Sequence, residues 1–309
     1  MNGVVIIDKP KRWTSHDVVA QVRRILRVRK AGHGGTLDPL ATGVLPVYLN
    51  EGTKLVPFNL ESTKEYAGQM KLGEETDTLD ADGKIVAEKR GFFFNPKEIE
   101  EVFAAFRGKI RQTPPLFSAI KQDGLPLYKY VRAGEIPRLM ERETFIYALK
   151  LREVSLPFIR FEVTCARGTY IRSLCADMGR VMGCGAHLTE LRRMRSGKFT
   201  LEQAVSLEDL SRLAAQDKVT ERIISLKDGL PPFPAIYVEE KTGERVRQGQ
   251  PLRLGDLSQI KKSPLKIGER VCLLLNSGHL LAIAESQVNV GGEMPEHREV
   301  LRILRVFNH

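Results

Sequence analysis

Three prolines within four residues, PPFP at 231–234, break the chain about three quarters of the way along its length. Proline lacks a backbone N–H and its ring pushes the preceding residue toward extended backbone, so neither a helix nor a central strand continues through such a segment. The apolar pattern changes at the same place, from mixed helix and strand periodicity to short apolar runs separated by glycines. The break therefore predicts two units, residues 1–230 and residues 235–309, the second a small all-β domain.

The first unit contains both helix-like and strand-like segments. Val18 and Val22 belong to an apolar stripe of helical period that begins after Ser15, a predicted N-cap, and Asn95-Pro96 is typical of a second helix start. A third amphipathic helix is predicted with Tyr170 and Arg172 in its first turn. Segments with strand character are 3–8, 43–49, 66–72, 144–153, 157–165 and 186–195. We interpret the Pro-, Gly- and Lys/Arg-rich residues at about 114–143 as an ordered insertion in a mixed α+β fold.

The charge of the chain indicates an acidic partner. Its formal net charge is +10, its pI is near 9.5, and residues 1–30 hold eight basic and two acidic side chains. Nucleic acid is the commonest polyanion inside a cell, so a clustered excess of this kind favours a nucleic-acid partner. A solvated basic face is the alternative.

Composition also limits the other classes of protein. No window approaches the 18 or more apolar residues of a membrane span, and the first residues lack the long apolar core of a secretory signal, so we expect a cytoplasmic protein that does not bind membranes. The four cysteines include no C-x-x-C pair and no histidine at zinc-finger spacing. Buried free thiols, and no metal site, are therefore expected.

The stretch AGHGGTLDPLATG at 31–43 is the strongest candidate site. Its single carboxylate, Asp38, precedes a proline that restricts the aspartate to extended backbone. Gly34 and Gly35 permit close approach of another molecule, and His33 offers a ring that stacks or donates a proton. An Asp-Pro turn without function is the common alternative.

The acidic run DTLDADG at 77–83 invites comparison with a calcium loop. Aligning Asp80, Asp82 and Gly83 with the third, fifth and sixth positions of such a loop places Lys89 where a bidentate glutamate is required. We therefore predict a polar hairpin turn here instead of a metal site.

Three further segments carry candidate binding residues. Tyr66 lies in a predicted strand, where tyrosine is most often core but can stack a base. Tyr170 and Arg172 fall at the start of a predicted helix, a position suited to anions, although a packing tyrosine and a surface arginine are equally compatible. HLTELRRMRSGK places several cations on one predicted strand, which either faces an RNA groove or is a charged edge strand; these cations are Arg192, Arg193, Arg195 and Lys198.

The motif GHGGTLDPLATGVLPV closely resembles the catalytic motif of the TruB family, tRNA pseudouridine synthases that modify the uridine at position 55 in the T-loop. Further blocks agree in the same order, and together they cover residues 2–200; they are TKEYAG, TDTLDADG, PPLFSAIKQDGLPLYKYVRAG, RGTYIRSLCADMG and HLTELRR. The resemblance implies that Asp38 is the essential aspartate, that Tyr66 stacks on the target base and that Arg172 pairs with the aspartate.

The same resemblance implies roles for three other side chains. Tyr170 and Leu191 match residues that shape the pocket, and His33 matches the histidine that holds the target nucleotide out of its loop. No cofactor is implied, because the isomerisation breaks the N1–C1′ bond and rejoins the same uracil through C5. One ionised carboxylate then suffices, with a neighbouring arginine favouring its ionised form, and the base is flipped out of its stack.

The resemblance also implies an architecture and a set of partners. We expect a largely antiparallel central sheet flanked by helices, a thumb-like insertion at about 114–143 that grips the T-arm, and a C-terminal PUA-like β barrel that contacts the acceptor end of tRNA. A stand-alone monomer without an obligate protein partner is expected. Two rival functions remain open, an RNA-binding factor without chemistry and a carboxylate hydrolase, the latter weakened because nothing supplies a paired acid at a defined spacing.

Overall fold

The computed structural model describes most of the chain and forms two principal sheets. The described residues are 1–60, 62–118, 121–122, 125–126, 130, 133–135, 139–257, 265–290 and 295–308. The strands are β1 (Gly3–Lys9), β2 (Ala31–His33), β3 (Thr42–Leu49), β4 (Lys64–Leu72), β5 (Glu74–Thr76), β6 (Ile85–Glu88), β7 (Gly108–Gln112), β8 (Lys121–Gln122), β9 (Leu125–Pro126), β10 (Arg142–Ser155), β11 (Phe158–Cys165), β12 (Ala186–Ser196), β13 (Phe199–Thr200), β14 (Ala235–Val238), β15 (Leu252–Arg253), β16 (Arg270–Leu275), β17 (Leu280–Ser286) and β18 (Glu299–Val306).

The helices are fewer and short. They are α1 (Ser15–Leu26), α2 (Val56–Asn59), α3 (Pro96–Ala105), α4 (Ile171–Val181), α5 (Leu207–Ala215) and α6 (Glu240–Arg247), with 3₁₀ segments at Asn50–Leu55, Leu201–Gln203, Val219–Arg222 and Leu254–Asp256. In the described part of the chain, no helix combines the length and hydrophobicity needed to cross a membrane.

The larger sheet has the strand order β1-β3-β12-β4-β11-β10-β7, with β2 paired to β3 and β13 to β12. Every neighbouring pair is antiparallel except β12 and β3, which run parallel. Apolar residues of α1, α3 and α4 share one core with this sheet; examples are Val18, Phe103 and Leu174. The predicted mixed, largely antiparallel sheet with flanking helices is therefore confirmed.

The start of α1 differs from the prediction by one residue. Thr14, not Ser15, is the N-cap, and it forms a reciprocal capping box with Asp17. Ser15 is buried, and its hydroxyl donates to the carbonyl of Leu37 at 3.1 Å and accepts from the Leu37 amide at 2.8 Å. The serine is thus used to hold the loop that carries Asp38.

The second sheet lies after the proline-rich break. Its order is β14-β16-β17-β18-β15, and among the described residues its two edge strands do not pair with each other. Helix α6 was not predicted for this unit, which was expected to be all β; its sequence EKTGERVR is rich in Glu, Lys and Arg, which favour helix, and Val246 is its buried apolar residue. Of the 30 residues of the expected ordered insertion at about 114–143, 12 lie outside the described residues; among the others, β8 and β9 form a short pair.

The two sheets share a small core. Val4 and Val44, on the face of β1 and β3 that points away from α1, pack in one cluster with Cys272, Ile283 and Phe307 of the second unit. Two polar contacts accompany this packing: Lys54 Nζ donates to the Val306 carbonyl at 2.9 Å, and the Asn308 amide donates to Glu51 at 2.8 Å. The second unit is therefore seated on the strand that follows the candidate loop.

Candidate active site

Asp38 lies against a buried arginine. Nε of Arg172, at the start of α4, is 2.9 Å from Asp38 Oδ2 and 3.6 Å from Oδ2 of Asp80. The arginine side chain is only 5% exposed and that of Asp80 only 7%, whereas Asp38 is 37% exposed. The Nε–H is not aligned with either oxygen for a hydrogen bond, so the contact with Asp38 is ionic. Asp38 is therefore the carboxylate of this group that solvent can reach.

The remaining donors of Arg172 are held by backbone. Its two terminal nitrogens donate to the carbonyls of Thr78 and Phe117, each at 3.0 Å. Burial raises the pKa of Asp80, an effect that its hydrogen bond from Thr78 and the charge of Arg172 oppose. The guanidinium is thus fixed in one orientation before any substrate arrives.

The acidic run at 77–83 supplies some of the groups that hold Arg172. It closes the β5–β6 hairpin, as predicted, and Leu79 and Ala81 exchange backbone hydrogen bonds with Leu188 of β12 at 3.1 and 2.9 Å. Those bonds bring Asp80 to Arg172, a role that the sequence analysis missed. Within the described residues, no group of three or more His, Cys, Asp or Glu side chains is placed to hold a metal ion.

Lys9 is a second residue that the sequence analysis missed. Its side chain is fully buried, and Nζ donates to the carbonyls of Pro10 at 2.9 Å, Trp13 at 2.6 Å and Pro39 at 3.4 Å. Burial lowers the pKa of Lys9 to about 8, although Asp38 acts in the opposite direction. Lys9 thus ties the end of β1 to the proline that follows the aspartate.

We expect Lys9 to give the wild type a distinct pH dependence of stability. Its folded pKa of about 8 lies below the ordinary value of 10.5, so between these values the unfolded chain binds more protons than the folded one. The free energy of unfolding should therefore rise across this range relative to Lys9→Met, which lacks the titrating group. Urea unfolding of both proteins from pH 7 to 10.5 measures this difference, and a difference independent of pH would contradict it.

Arg193 supports the Asp38 loop from β12, the strand next to β3. It is almost completely buried on β12, where Nε donates to the Val44 carbonyl at 2.7 Å and a terminal nitrogen donates to the Gly35 carbonyl at 3.1 Å. The prediction that this arginine contacts RNA does not fit such burial. Because successive strand residues face opposite sides, Arg192 and Arg193 cannot both line one groove.

Glycine is required where the loop joins β3. Gly43 has φ +97°, and a Cβ there would lie 2.3 Å from the carbonyl oxygen of Arg193. The adjacent β12 strand runs parallel to β3 at this point and pairs Gly43 with Arg193. The close approach of two backbones therefore excludes any side chain at position 43.

Gly43→Ala should accordingly cost much more stability than a glycine substitution of the same backbone type elsewhere. Gly91 is the matched control, since it has φ +74° but no atom lies within 4 Å of the place that a Cβ would occupy. We expect Gly91→Ala to lose about 1–2 kcal/mol from its left-handed backbone, and Gly43→Ala to lose at least ~2 kcal/mol more from the clash. Urea unfolding of the two variants tests this, and equal losses would show that β12 yields readily.

Tyr66 and His33 both lie near Arg193. Tyr66 is 8% exposed and sits opposite Arg193 in the β4–β12 register; burial raises the pKa of its phenol, which is therefore protonated at neutral pH. Burial lowers the pKa of His33, so its ring is neutral, and Nδ1 has no hydrogen-bond partner among the described residues. This nitrogen is also shielded from solvent, so a ligand reaches it only if the surrounding side chains move.

Tyr170 and Leu191 complete the set of candidate pocket residues. Tyr170 is the N-cap residue of α4, and its backbone exchanges two 3.1 Å hydrogen bonds with the side chain of Gln112. Burial raises the pKa of its phenol, which also interacts with Ser118 and Asp38. Leu191 is buried on β12, and its carbonyl lies 3.5 Å from the Thr42 hydroxyl. Both residues therefore lie on elements that touch the aspartate loop.

The other two arginines predicted to bind RNA are partly exposed and already paired. Arg192 donates to Asp8 at 2.7 Å, and Arg195 donates to Glu65 and to the Gly197 carbonyl. Since β12 lies between β3 and β4, the alternative interpretation of this segment as an edge strand is wrong. The structure thus brings Asp38, Arg172 and Tyr170 together, and leaves Arg192 and Arg195 on the surface away from Tyr66.

Family models match most of this chain. One described as TruB family pseudouridylate synthase (N terminal domain) matches residues 23–171, and one described as tRNA pseudouridylate synthase B C-terminal domain matches residues 172–234. Together they contain Asp38, Tyr66 and Arg172.

Whole-length relatives point the same way. The chain is 44% identical over 308 residues to tRNA pseudouridine synthase B of Geobacter sulfurreducens, with all of both chains covered, and 44% identical over 312 residues to the enzyme of that name from Syntrophus aciditrophicus, with 100% of this chain and 99% of the relative covered.

Solved structures with the same fold include that of a Cbf5-Nop10-Gar1 complex. It has a TM-score of 0.75 and 28% identity, covering 99% of this chain and 85% of that one. An H/ACA ribonucleoprotein bound to a substrate RNA containing 2′-deoxyuridine gives a TM-score of 0.74 and 27% identity, with 99% and 85% covered. The two family models and the whole-length relatives agree with the sequence motif and with the ionic pair of Asp38 and Arg172. The chain belongs to the TruB family of tRNA pseudouridine synthases.

Proposed function

We propose that this tRNA pseudouridine synthase acts on the T-loop uridine at position 55 and that Asp38 carries the reaction. The observation that supports this most directly is the geometry of Asp38, a reachable carboxylate 2.9 Å from a buried guanidinium that is itself fixed by two carbonyls. The fixed positive charge holds the carboxylate in one place by ionic attraction. Asp38 therefore stands where a flipped nucleoside would enter.

The chemistry needs no second reactant. The N1–C1′ bond of the uridine breaks, the uracil turns, and a C5–C1′ bond forms. C5 loses its proton and N1 gains one, so atoms and electrons balance within the nucleoside. The anion at Asp38 is suited to assist at C1′, at C6 or as a base, and all three routes require the base to leave its stack at a cost of a few kcal/mol.

We assign the surrounding side chains to holding the extruded nucleotide. Tyr66 presents a neutral aromatic ring for stacking, and the neutral ring of His33, close to Arg193, helps to hold the nucleotide out of its loop. Tyr170 and Leu191 form further walls of the pocket. Arg172 positions Asp38, while Arg192 and Arg195 keep their proposed RNA contacts only if phosphates compete with their present carboxylate partners.

The division of the chain into two domains and an insertion suggests contacts with other parts of tRNA. We propose that residues 1–230 form the catalytic domain, with a thumb at about 114–143 that grips the T-arm, and that residues 235–309 form a PUA-like barrel that contacts the acceptor end. The second family model ends at residue 234, beside the proline-rich break, which supports this boundary. The similar H/ACA structure contains a substrate RNA, which supports an RNA ligand for the shared fold. A monomer that acts in the cytoplasm without an obligate protein partner completes the proposal.

The test is incubation of the purified protein with an unmodified tRNA transcript labelled with tritium at C5 of uridine. The proposal predicts stoichiometric release of tritium and one pseudouridine, mapped to position 55; a transcript with cytidine at that position is the control and should release none from that site. Binding without tritium release would support the rival RNA-binding factor, and release of free uracil would support the hydrolase.

A further inference from the structure

We propose that the exposed end of α1 and the residues after it bind the phosphate backbone of a double-stranded RNA stem that continues from the loop held at Asp38. We call this surface the α1 basic patch; its members are Arg23, Arg24, Arg27, Arg29 and Lys30. The inference rests on the proposed function, since it assigns an additional contact surface for the same substrate.

The cations of the α1 basic patch are exposed and have no acidic partner. All five residues are exposed, and within the described part of the chain none of their side chains forms an ion pair or a hydrogen bond that would neutralise it. Several other surface arginines are paired with a nearby carboxylate; examples are Arg160 with Glu153 and Arg302 with Glu285. A group of five unpaired cations within eight residues therefore creates a local positive field.

The position of the patch relates it to the active site. The Ser15 hydroxyl, at the first residue of α1, is bonded to Leu37, the neighbour of Asp38. The helix runs from there for 12 residues, or about 18 Å at its usual rise. That distance corresponds to roughly five base pairs of a duplex. A stem whose loop enters at Asp38 can therefore lay its backbone along α1.

The far side of the patch leads toward the second unit. Lys30 and Asn50 are joined by two hydrogen bonds, of 2.8 and 3.1 Å. Asn50 begins the 3₁₀ segment whose Lys54 donates to Val306 of β18. The patch thus lies along the path between the aspartate loop and the C-terminal sheet, where an RNA that contacts both must pass.

The chemistry of the patch favours phosphate over a protein partner. Ile25, Leu26 and Val28 between the cations are partly buried against the main core, and none of the large apolar side chains of residues 15–30 is exposed. Protein interfaces depend on buried apolar or aromatic anchors, whereas phosphate contacts need only cations at the right spacing. We therefore assign the patch to the RNA backbone.

The test compares two RNAs and two variants. Arg23→Gln/Arg24→Gln/Arg29→Gln removes three charges, and Arg23→Lys/Arg24→Lys/Arg29→Lys is the matched control that keeps them; Arg27 stays unchanged because its backbone is left-handed, with φ 50°. Affinities are measured against salt concentration for a full-length unmodified tRNA and for a hairpin with the T-loop and three base pairs.

With full-length tRNA, we expect the glutamine variant to bind at least tenfold more weakly than wild type. The plot of log K against log salt should also become less steep, its negative slope shrinking in magnitude by about two to three. The lysine variant should stay within about threefold, all proteins should bind the short hairpin alike, and the rate at saturating tRNA should not change. An equal loss on both RNAs, or no loss on either, would overturn the proposal. These binding measurements stay informative even if the wild type forms no pseudouridine, so the two proposals fail separately.

Discussion

Asp38→Asn is expected to abolish pseudouridine formation while leaving the affinity for tRNA within about tenfold of wild type. Asparagine keeps the shape of the side chain but removes the anion, and deleting a group that acts on the reacting atoms commonly costs ~10⁴-fold or more in rate. Single-turnover release of tritium from C5-labelled tRNA gives the rate, and filter binding gives the affinity.

The control for Asp38 is Asp77→Asn. Asp77 lies in the nearby hairpin, where its side chain accepts from the Lys84 amide, but it does not contact Arg172. We expect this variant to retain wild-type turnover within a few-fold. Turnover by Asp38→Asn at a comparable rate would remove the aspartate from the chemistry, and a loss confined to binding would assign it to RNA recognition.

Arg172→Leu is expected to reduce both stability and turnover. The substitution leaves Asp80 buried without its counter-charge and two carbonyls without a donor, and breaking a buried ion pair on one side costs roughly 3–5 kcal/mol. It also releases Asp38 from its fixed position, for which we expect a loss of at least ~10²-fold in single-turnover rate, because misplacement of a reacting group by about 1 Å can cost that much.

Two further variants separate the effects of Arg172 on stability and turnover. Arg172→Leu/Asp80→Asn removes the stranded charge and should recover part of the stability, measured by urea unfolding, without recovering turnover. Arg180→Leu breaks an ion pair on the same helix whose arginine is exposed, and it should change stability by about 1 kcal/mol or less. Recovery of turnover in the double variant would show that Asp38 does not depend on the arginine for its position.

The elements that could be predicted from sequence are those fixed by local signals. The apolar stripe of α1, the Asn95 cap of α3 and the strand pair β10–β11 follow from periodicity and capping chemistry that act over a few residues. The candidate loop could be recognised from its glycines, its Asp-Pro pair and its resemblance to one family.

The residues that were missed depend on contacts between distant parts of the chain. Asp80 reaches Arg172 because its hairpin is bonded to β12, more than a hundred residues later, and no local pattern reveals that pairing. Lys9 is an ordinary lysine in sequence, and only the folded loop surrounds it with carbonyls. Arg193 was assigned to RNA because composition does not show which face of a strand is covered.

Strand β3 has a consequence for how a long substrate is accommodated. One of its faces belongs to the main core, the other contributes Val44 and Tyr48 to the cluster shared with the second unit, and its first residues continue the loop that bears Asp38. The candidate aspartate loop and the second sheet are therefore joined through one strand. We expect the distance between the Asp38 loop and the second sheet to stay nearly constant on binding. An RNA that contacts both must then bend or open its own helix to fit that distance.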